Sequence, residues 1–461
     1  MVSHRHIAAL LDLMLGFTFR RSMIGHEPMV GDSDHGSSVG RISQLAKCLG
    51  TYGILALLSM LVGVGGFVAT AMLTSRPALF LTAGWSIFAI CYGGAISVIA
   101  PRRYWPLAVA LLAVLSVVGG FALLWPATET RQPPAPGTEW ATLRTGSRLA
   151  YLRLAAVGPR HAAPVVFLHG GPGVANIEGD AEYLRRLAAS GYDVYLYDQL
   201  GAGGSTRLAD PTGYTLPRAV ADLDAFREAI RAPKVDLIGY SWGSRLAAAY
   251  LSAHADHVSK VVFVSPDRMA GDNSNLVNLL GPLDAAHLWA VLRQAFEPRA
   301  FTAWVLAQVN SRAAHAFAGD AEMDARFRAI IAALAPALFC HPPDGTNGGD
   351  PGFYANTMLP RPEAQRGIDP HASLRRLDTP ALIVKGQCDY LSWASAVDYR
   401  DALPHASMVY VPEAGHELFA EQPDVFFAAV VAFLDGRELP FATVTQSSPP
   451  PGYKGPTGEN H

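Results

Sequence analysis

Hydrophobic and polar positions divide the chain into two textures. Cys48–Ser75, Pro77–Pro101 and Tyr104–Thr128 contain no Asp, Glu, Lys or Arg. As a helix, each run is long enough to cross a hydrocarbon core of about 30 Å. The charges fall in the breaks, at Arg76 and Arg102-Arg103. After the third run the pattern changes to short apolar stretches set among helical periods. Val165–Leu168, Val194–Tyr197, Val235–Ile238, Val261–Val264, Leu382–Val384 and Met408–Val411 are rich in β-branched or aromatic residues. Ala181–Ala189, Pro217–Ile230, Trp242–Ala253, Ala394–Leu403 and Pro423–Leu434 carry helical spacing between them. Strands alternating with helices predict an α/β fold, a doubly wound, mostly parallel sheet covered on both faces.

These patterns predict an N-terminal segment 1–47, a three-helix transmembrane region 48–128, a linker 129–139, an α/β domain 140–437 and a disordered tail 438–461. In the first segment Ile7–Phe19 is apolar but too short to span and includes Asp12, and Ser22–Gly40 is polar and glycine-rich. The linker contains the stiff stretch Arg131-Gln-Pro-Pro-Ala-Pro-Gly137. The strand–helix series is interrupted at about 267–378, where Leu283–Phe296, Ala300–Val309 and Ala321–Leu338 have helical periodicity of their own. A connection of that length predicts a lid. The spans hold no ionisable residue to mark a pathway, which predicts an anchor. Arg41 and Lys47 precede the first span, Arg76 lies in the first turn, and Arg102 and Arg103 lie in the second. That bias predicts a cytoplasmic N-terminus and an extracytoplasmic α/β domain.

Charge and cysteine content narrow the picture. A formal net charge of −3 gives no case for nucleic-acid binding. Cys48 and Cys91 belong to the spans, whereas Cys340 and Cys388 form a soluble pair that can bridge if the domain is exported. No metal-ligand cluster or phosphate-binding loop stands out, so neither a metal nor another cofactor is expected.

The chemistry centres on Gly239-Tyr240-Ser241-Trp242-Gly243, which follows an apolar strand pattern and opens an alanine-rich helix. A turn that sharp requires small residues two before and two after the serine, and it lifts the Ser241 hydroxyl out of the sheet. A serine hydroxyl needs a neutral imidazole to take its proton and a carboxylate to orient that imidazole. Asp389 and His416 each lie in a loop just past a late strand, in the order Ser, Asp, His. His169-Gly-Gly-Pro-Gly173 follows another strand. Its Gly171 N–H, with that of Trp242, would bind an oxyanion, Gly170 being the alternative donor. His169 is expected to brace that loop.

Together with Tyr197-Asp-Gln-Leu-Gly-Ala-Gly-Gly-Ser205, these blocks resemble the proline iminopeptidase family of α/β-hydrolases over roughly residues 140–437. The resemblance implies a helical cap and an aminopeptidase acting on short peptides through an acyl-enzyme. It also implies acidic cap residues that hold the substrate's amino terminus, matched here at Asp350. Leu200 departs from the family's arginine at that point of the block. A carboxylesterase acting on small apolar esters, and a membrane receptor or scaffold with an inert hydrolase fold, are the alternatives. The expected partners are a small peptide or ester and the lipid bilayer.

Overall fold

A computed structural model describes residues 35–126, 132–269, 276–343, 348–367 and 369–458. The expectations for Ile7–Phe19 and for most of Ser22–Gly40 lie outside the described residues, although a helix already begins at His35, before the predicted span. The chain divides into two units, residues 1–57 and residues 58–461.

Three helices are long and apolar enough to cross a membrane: Ala46–Leu73, Pro77–Ile99 and Arg102–Leu124, of 28, 23 and 23 residues. At 1.5 Å per residue the shorter two extend about 35 Å. A Cβ on Gly63 would lie 2.8 Å from Gly84 O, so the first two of these helices approach closely where two glycines face each other.

The α/β domain is built on an eight-stranded sheet. Its strands are β1 (Glu139–Thr142), β2 (Arg148–Leu154), β3 (Val165–Leu168), β5 (Val194–Tyr197), β6 (Val235–Tyr240), β7 (Val258–Val264), β9 (Ala381–Gly386) and β10 (Ala406–Val411). The strand order is β1-β2-β5-β3-β6-β7-β9-β10. All pairs from β5 to β10 are parallel, and β1–β2 and β2–β5 are antiparallel. Side chains alternate across the sheet. Val261 and Phe263 join the core beneath Leu223 and Leu246, whereas Val262 and Val264 join the core beneath Leu184 and Val430. Register brings Leu168 level with Gly239, and Tyr240 level with Val264. The loops that follow β3, β6, β9 and β10 therefore emerge along one edge, where ligands bind in open parallel sheets.

The interruption is a cap of helices, Leu276–Leu280, Ala285–Ala295, Pro298–Val309, Ser311–Phe317 and Asp320–Leu334. The helix at Ser311 escaped the sequence pattern because it is one short unit set off by its own cap, the Asn310 side chain accepting from Ala313 N–H. A two-residue strand, β8 (Asp350–Pro351), pairs antiparallel with β4 (Val174–Ala175) just after the glycine-rich loop. The cap also rests on the ends of the long helices. Asn310 Nδ2 donates to Ala71 O at 2.8 Å, Arg299 Nη1 donates to Leu123 O, and the Phe317 ring lies 6.4 Å from that of Phe80.

The segment after Thr443 corrects the expectation of a disordered tail. Val444 N–H donates to Met408 O, and Trp393 Nε1 donates to Ser447 O. Lys454 N–H donates to Gln387 O, and the first helical N–H groups at Trp393 and Ala394 donate to Pro456 O and Thr457 O. Its composition has little to bury, but its backbone satisfies an edge strand and an open helix start.

Candidate active site

The turn after β6 holds Ser241 at φ 55°, ψ −118°, a left-handed strain for a residue with a side chain. The neighbouring glycines are required by space. A Cβ on Gly239 would lie 2.5 Å from Gly243 O, and one on Gly243 would lie 2.0 Å from Leu168 O. Ser241 N–H donates to Val264 O at 2.9 Å, and Ser244 Oγ donates to Gly239 O at 2.6 Å, which locks the turn. Trp242 is the first residue of the following helix, so its N–H has no partner within that helix.

The loop after β3 lies against this turn. A Cβ on Gly170 would lie 2.9 Å from Ser241 Cβ. Gly171 has φ 118°, and among the described residues no acceptor takes its N–H. His169 is buried behind the loop. Its Nε2 accepts from Gln199 N–H at 2.9 Å, which leaves the proton on Nδ1 to donate to Gly170 O at 3.0 Å. Burial, only partly opposed by the Gly170 carbonyl, lowers its pKa to about 4, so the ring is neutral at ordinary pH.

His416 and Asp389 come together from the loops after β10 and β9. His416 Nδ1 lies 2.8 Å from Asp389 Oδ1. Two neighbours escaped sequence reasoning. Lys385, at the end of β9, is fully buried and donates to Asp389 Oδ2 at 2.7 Å and to Leu391 O at 2.9 Å. Its i, i+4 spacing from Asp389 crosses a strand–loop junction, so no helical pattern marked it. Burial pushes the Asp389 carboxyl up, but the Lys385 ammonium and the His416 imidazole outweigh it and hold the group well below the ordinary carboxylate range. The second is Tyr390, which follows Asp389 directly and lies against His416. The His416 ring lies 4.6 Å from the Tyr390 ring and 5.0 Å from that of Tyr240.

The cap is fastened over these loops. Cys340 and Cys388 form a disulfide with Cα atoms 5.3 Å apart, joining the cap to the residue before Asp389. His416 N–H donates to Leu338 O at 2.7 Å, and Glu421 accepts from the N–H groups of Cys340, His341 and Gly415. Ser241 is 5% exposed and His416 3%, so both lie below the surface of the domain.

Asp350 is not brought to Ser241 as a free carboxylate. Arg328 Nη2 donates to its Oδ1 at 2.8 Å, and its carbonyl accepts from Gly203 N–H. Two other carboxyl groups lie near the site. Asp180 is in the first turn of the helix Ile177–Ala189, and Glu417 follows His416 directly. Burial and then the charges of Glu417 and Asp198 raise the Asp180 carboxyl well above its ordinary range, and burial raises Glu417. Among the described residues neither has a Lys or Arg partner at ion-pair distance. Away from the site, Asp224, His254 and His257 gather within ligand reach of one another. Arg144 and Arg227 already neutralise that carboxylate, which makes it an ion-pair cluster.

Residues 163–339 match the family model of the alpha/beta hydrolase fold. A proline iminopeptidase of Levilactobacillus brevis is 28% identical over 293 residues, covering 60% of this chain and 89% of the relative. One of Xanthomonas citri is 29% identical over 306 residues, covering 60% and 90%. One of Heyndrickxia coagulans is 40% identical over a shorter stretch of 124 residues, 26% of this chain and 41% of the relative. Among solved structures, a proline iminopeptidase of Mycobacterium smegmatis aligns with 20% identity and a TM-score of 0.43 over 65% of this chain and 98% of that one.

Proposed function

We propose, taking the domain after the long helices as the α/β hydrolase that it is, that this chain is a membrane-anchored serine aminopeptidase of proline iminopeptidase type. The observation that carries the reading is the strained Ser241 turn after β6, with a buried His416–Asp389 pair in the loops at the same edge of the sheet. Ser241 attacks the substrate carbonyl while His416 Nε2 takes its proton. Asp389 holds the Nδ1–H tautomer and stabilises the imidazolium. The N–H groups of Trp242 and Gly171 receive the oxyanion, with Gly170 the alternative. His416 then protonates the leaving amine, and water releases the acyl group by the same steps in reverse.

Recognition of a free amino terminus falls to Asp180 and Glu417 rather than to Asp350. An ammonium group would relieve the repulsion between those two carboxylates, whereas Asp350 already has Arg328. The Cys340–Cys388 bridge supports an oxidising compartment for the domain, in line with the distribution of basic residues around the spans.

The test combines labelling with substrate choice. A fluorophosphonate should label Ser241, and proline arylamides should be cleaved in preference to short acyl esters. Ester turnover without arylamide turnover would give the site to a carboxylesterase. No labelling of folded protein would leave an inert scaffold.

A further inference from the structure

The polar contacts between cap and long helices share one feature: they reach carbonyls at the same end of the bundle. Ala71 lies in the last turn of the helix ending at Leu73, and Leu123 in the last turn of the helix ending at Leu124. Such carbonyls have no partner within their own helix. Asn310 supplies one, and Arg299 supplies the other from a buried pair with Glu322 at 2.7 Å. Phe80, against Phe317, lies in the first turn of the antiparallel neighbour, at the same end. Arg299 and Asn310 stand at opposite ends of the helix Pro298–Val309. That helix therefore lies across the bundle end, along the plane that a bilayer surface would occupy.

Its free face is apolar. Phe301 and Trp304 are exposed on it at helical spacing, and Trp289, Leu292 and Phe296 form a matching stripe on the preceding helix. Among the described residues after 132, the exposed large apolar side chains outside 277–309 are only Trp140 and Val157. A patch this concentrated on a soluble surface marks an interaction site. Its surroundings identify the partner. At the end of the third long helix, whose Leu123 carbonyl the cap's Arg299 holds, Phe121 and Trp125 are exposed and stacked at 5.2 Å. Aromatic residues of this kind settle at the level of lipid headgroups.

We propose that the cap face formed by Trp289, Phe296, Phe301 and Trp304 is seated in the headgroup region of the bilayer. This rests on the reading that the long helices span the membrane. The cap over the site is then itself in the membrane surface, so the site is supplied with amphiphilic peptides partitioned there.

The experiment uses the full chain in lipid nanodiscs, with Cys48→Ala and Cys91→Ala in the background and an environment-sensitive dye on a single introduced cysteine. Trp304→Cys and Phe296→Cys report the cap, Val117→Cys the third long helix, and Val157→Cys a surface elsewhere on the domain. Doxyl lipids carry the quencher near the headgroup or near the bilayer centre. The cap positions should shift their emission to shorter wavelength and lose more of it to the headgroup quencher. Position 117 should lose more to the central quencher, and position 157 should lose to neither. Quenching at 117 with none at 304 or 296 overturns the cap proposal and leaves the anchor standing. No quenching at 117 overturns the anchor reading as well.

Discussion

Asparagine at position 389 sets two demands against each other. Asp389 serves His416 Nδ1 and Leu391 N–H through Oδ1, at 2.8 and 3.0 Å, and Lys385 through Oδ2, at 2.7 Å. An asparagine brings one oxygen and one amide nitrogen to those two places. With the oxygen toward His416, the imidazole keeps its proton on Nδ1, but an amide N–H points at a buried ammonium. With the oxygen toward Lys385, a charge-assisted bond forms, roughly twice as strong as a neutral one. The amide then donates to Nδ1, Nε2 carries the proton, and it takes none from Ser241. Setting a charged bond against neutral ones favours the second arrangement by about 2 kcal/mol, or roughly 30-fold. Asp389→Asn alone should therefore slow fluorophosphonate labelling of Ser241 by about 10⁴-fold. Adding Lys385→Met removes the bias, so the double variant should recover about 10-fold of that loss. It should also melt higher than the single variant, which leaves an ammonium buried without its carboxylate. Labelling rates and melting curves of both proteins decide the matter. A double variant that labels as slowly as Asp389→Asn, or melts lower, refutes the role given to Lys385.

Ser241→Ala should abolish labelling and reduce turnover by several orders of magnitude without altering the melting curve; turnover above about one per cent of wild type removes Ser241 from its role. His169 has a folded pKa of about 4, below its ordinary value, so the unfolded chain takes up that proton first as pH falls. The associated stability, about 3 kcal/mol, is present above pH 6.5 and lost down through about pH 4. The slope of melting temperature against pH in that window should flatten in His169→Asn. Glu417→Gln should weaken cleavage of free-amine substrates far more than of N-blocked ones, while Asp350→Ala should lower both alike; the reverse would restore Asp350 as the amine site. A reporter fused after His461 fixes topology: alkaline phosphatase should be active there and a cytoplasmic fluorescent protein dark, and the opposite pattern would invert the array.

What could be read from the sequence was what repeats or punctuates. The strands from Val165 to Val411 and the Gly239–Gly243 turn announce themselves by alternation and by small residues. The antiparallel strands β1 and β2 did not, because Glu139–Thr142 is exposed and mixed in character. Lys385 and Tyr390 became visible only once folding had closed their loops around Asp389 and Ser241. Asp350 illustrates the converse: its place before an aromatic pair fits a motif, but the residue that occupies its carboxylate, Arg328, lies on a different helix that no local pattern connects to it. The tail was misread because composition weighs side chains, whereas Val444, Lys454 and Pro456 are held through their backbones.

That docked tail bears on the order in which the fold is assembled. Translation makes the long apolar helices before any part of the sheet, and makes residues 443–458 after every strand, after Ser241 and after His416. The strap reaches the loop that presents Asp389, where a Cβ on Gly455 would come within 2.3 Å of the Asp389 carbonyl. A nascent chain that already holds Ser241, Asp389 and His416 still lacks the segment that packs against the Asp389 backbone. The order of synthesis thus sets the order of assembly: the loop that carries Asp389 gains its backbone partners in 443–458 last of all.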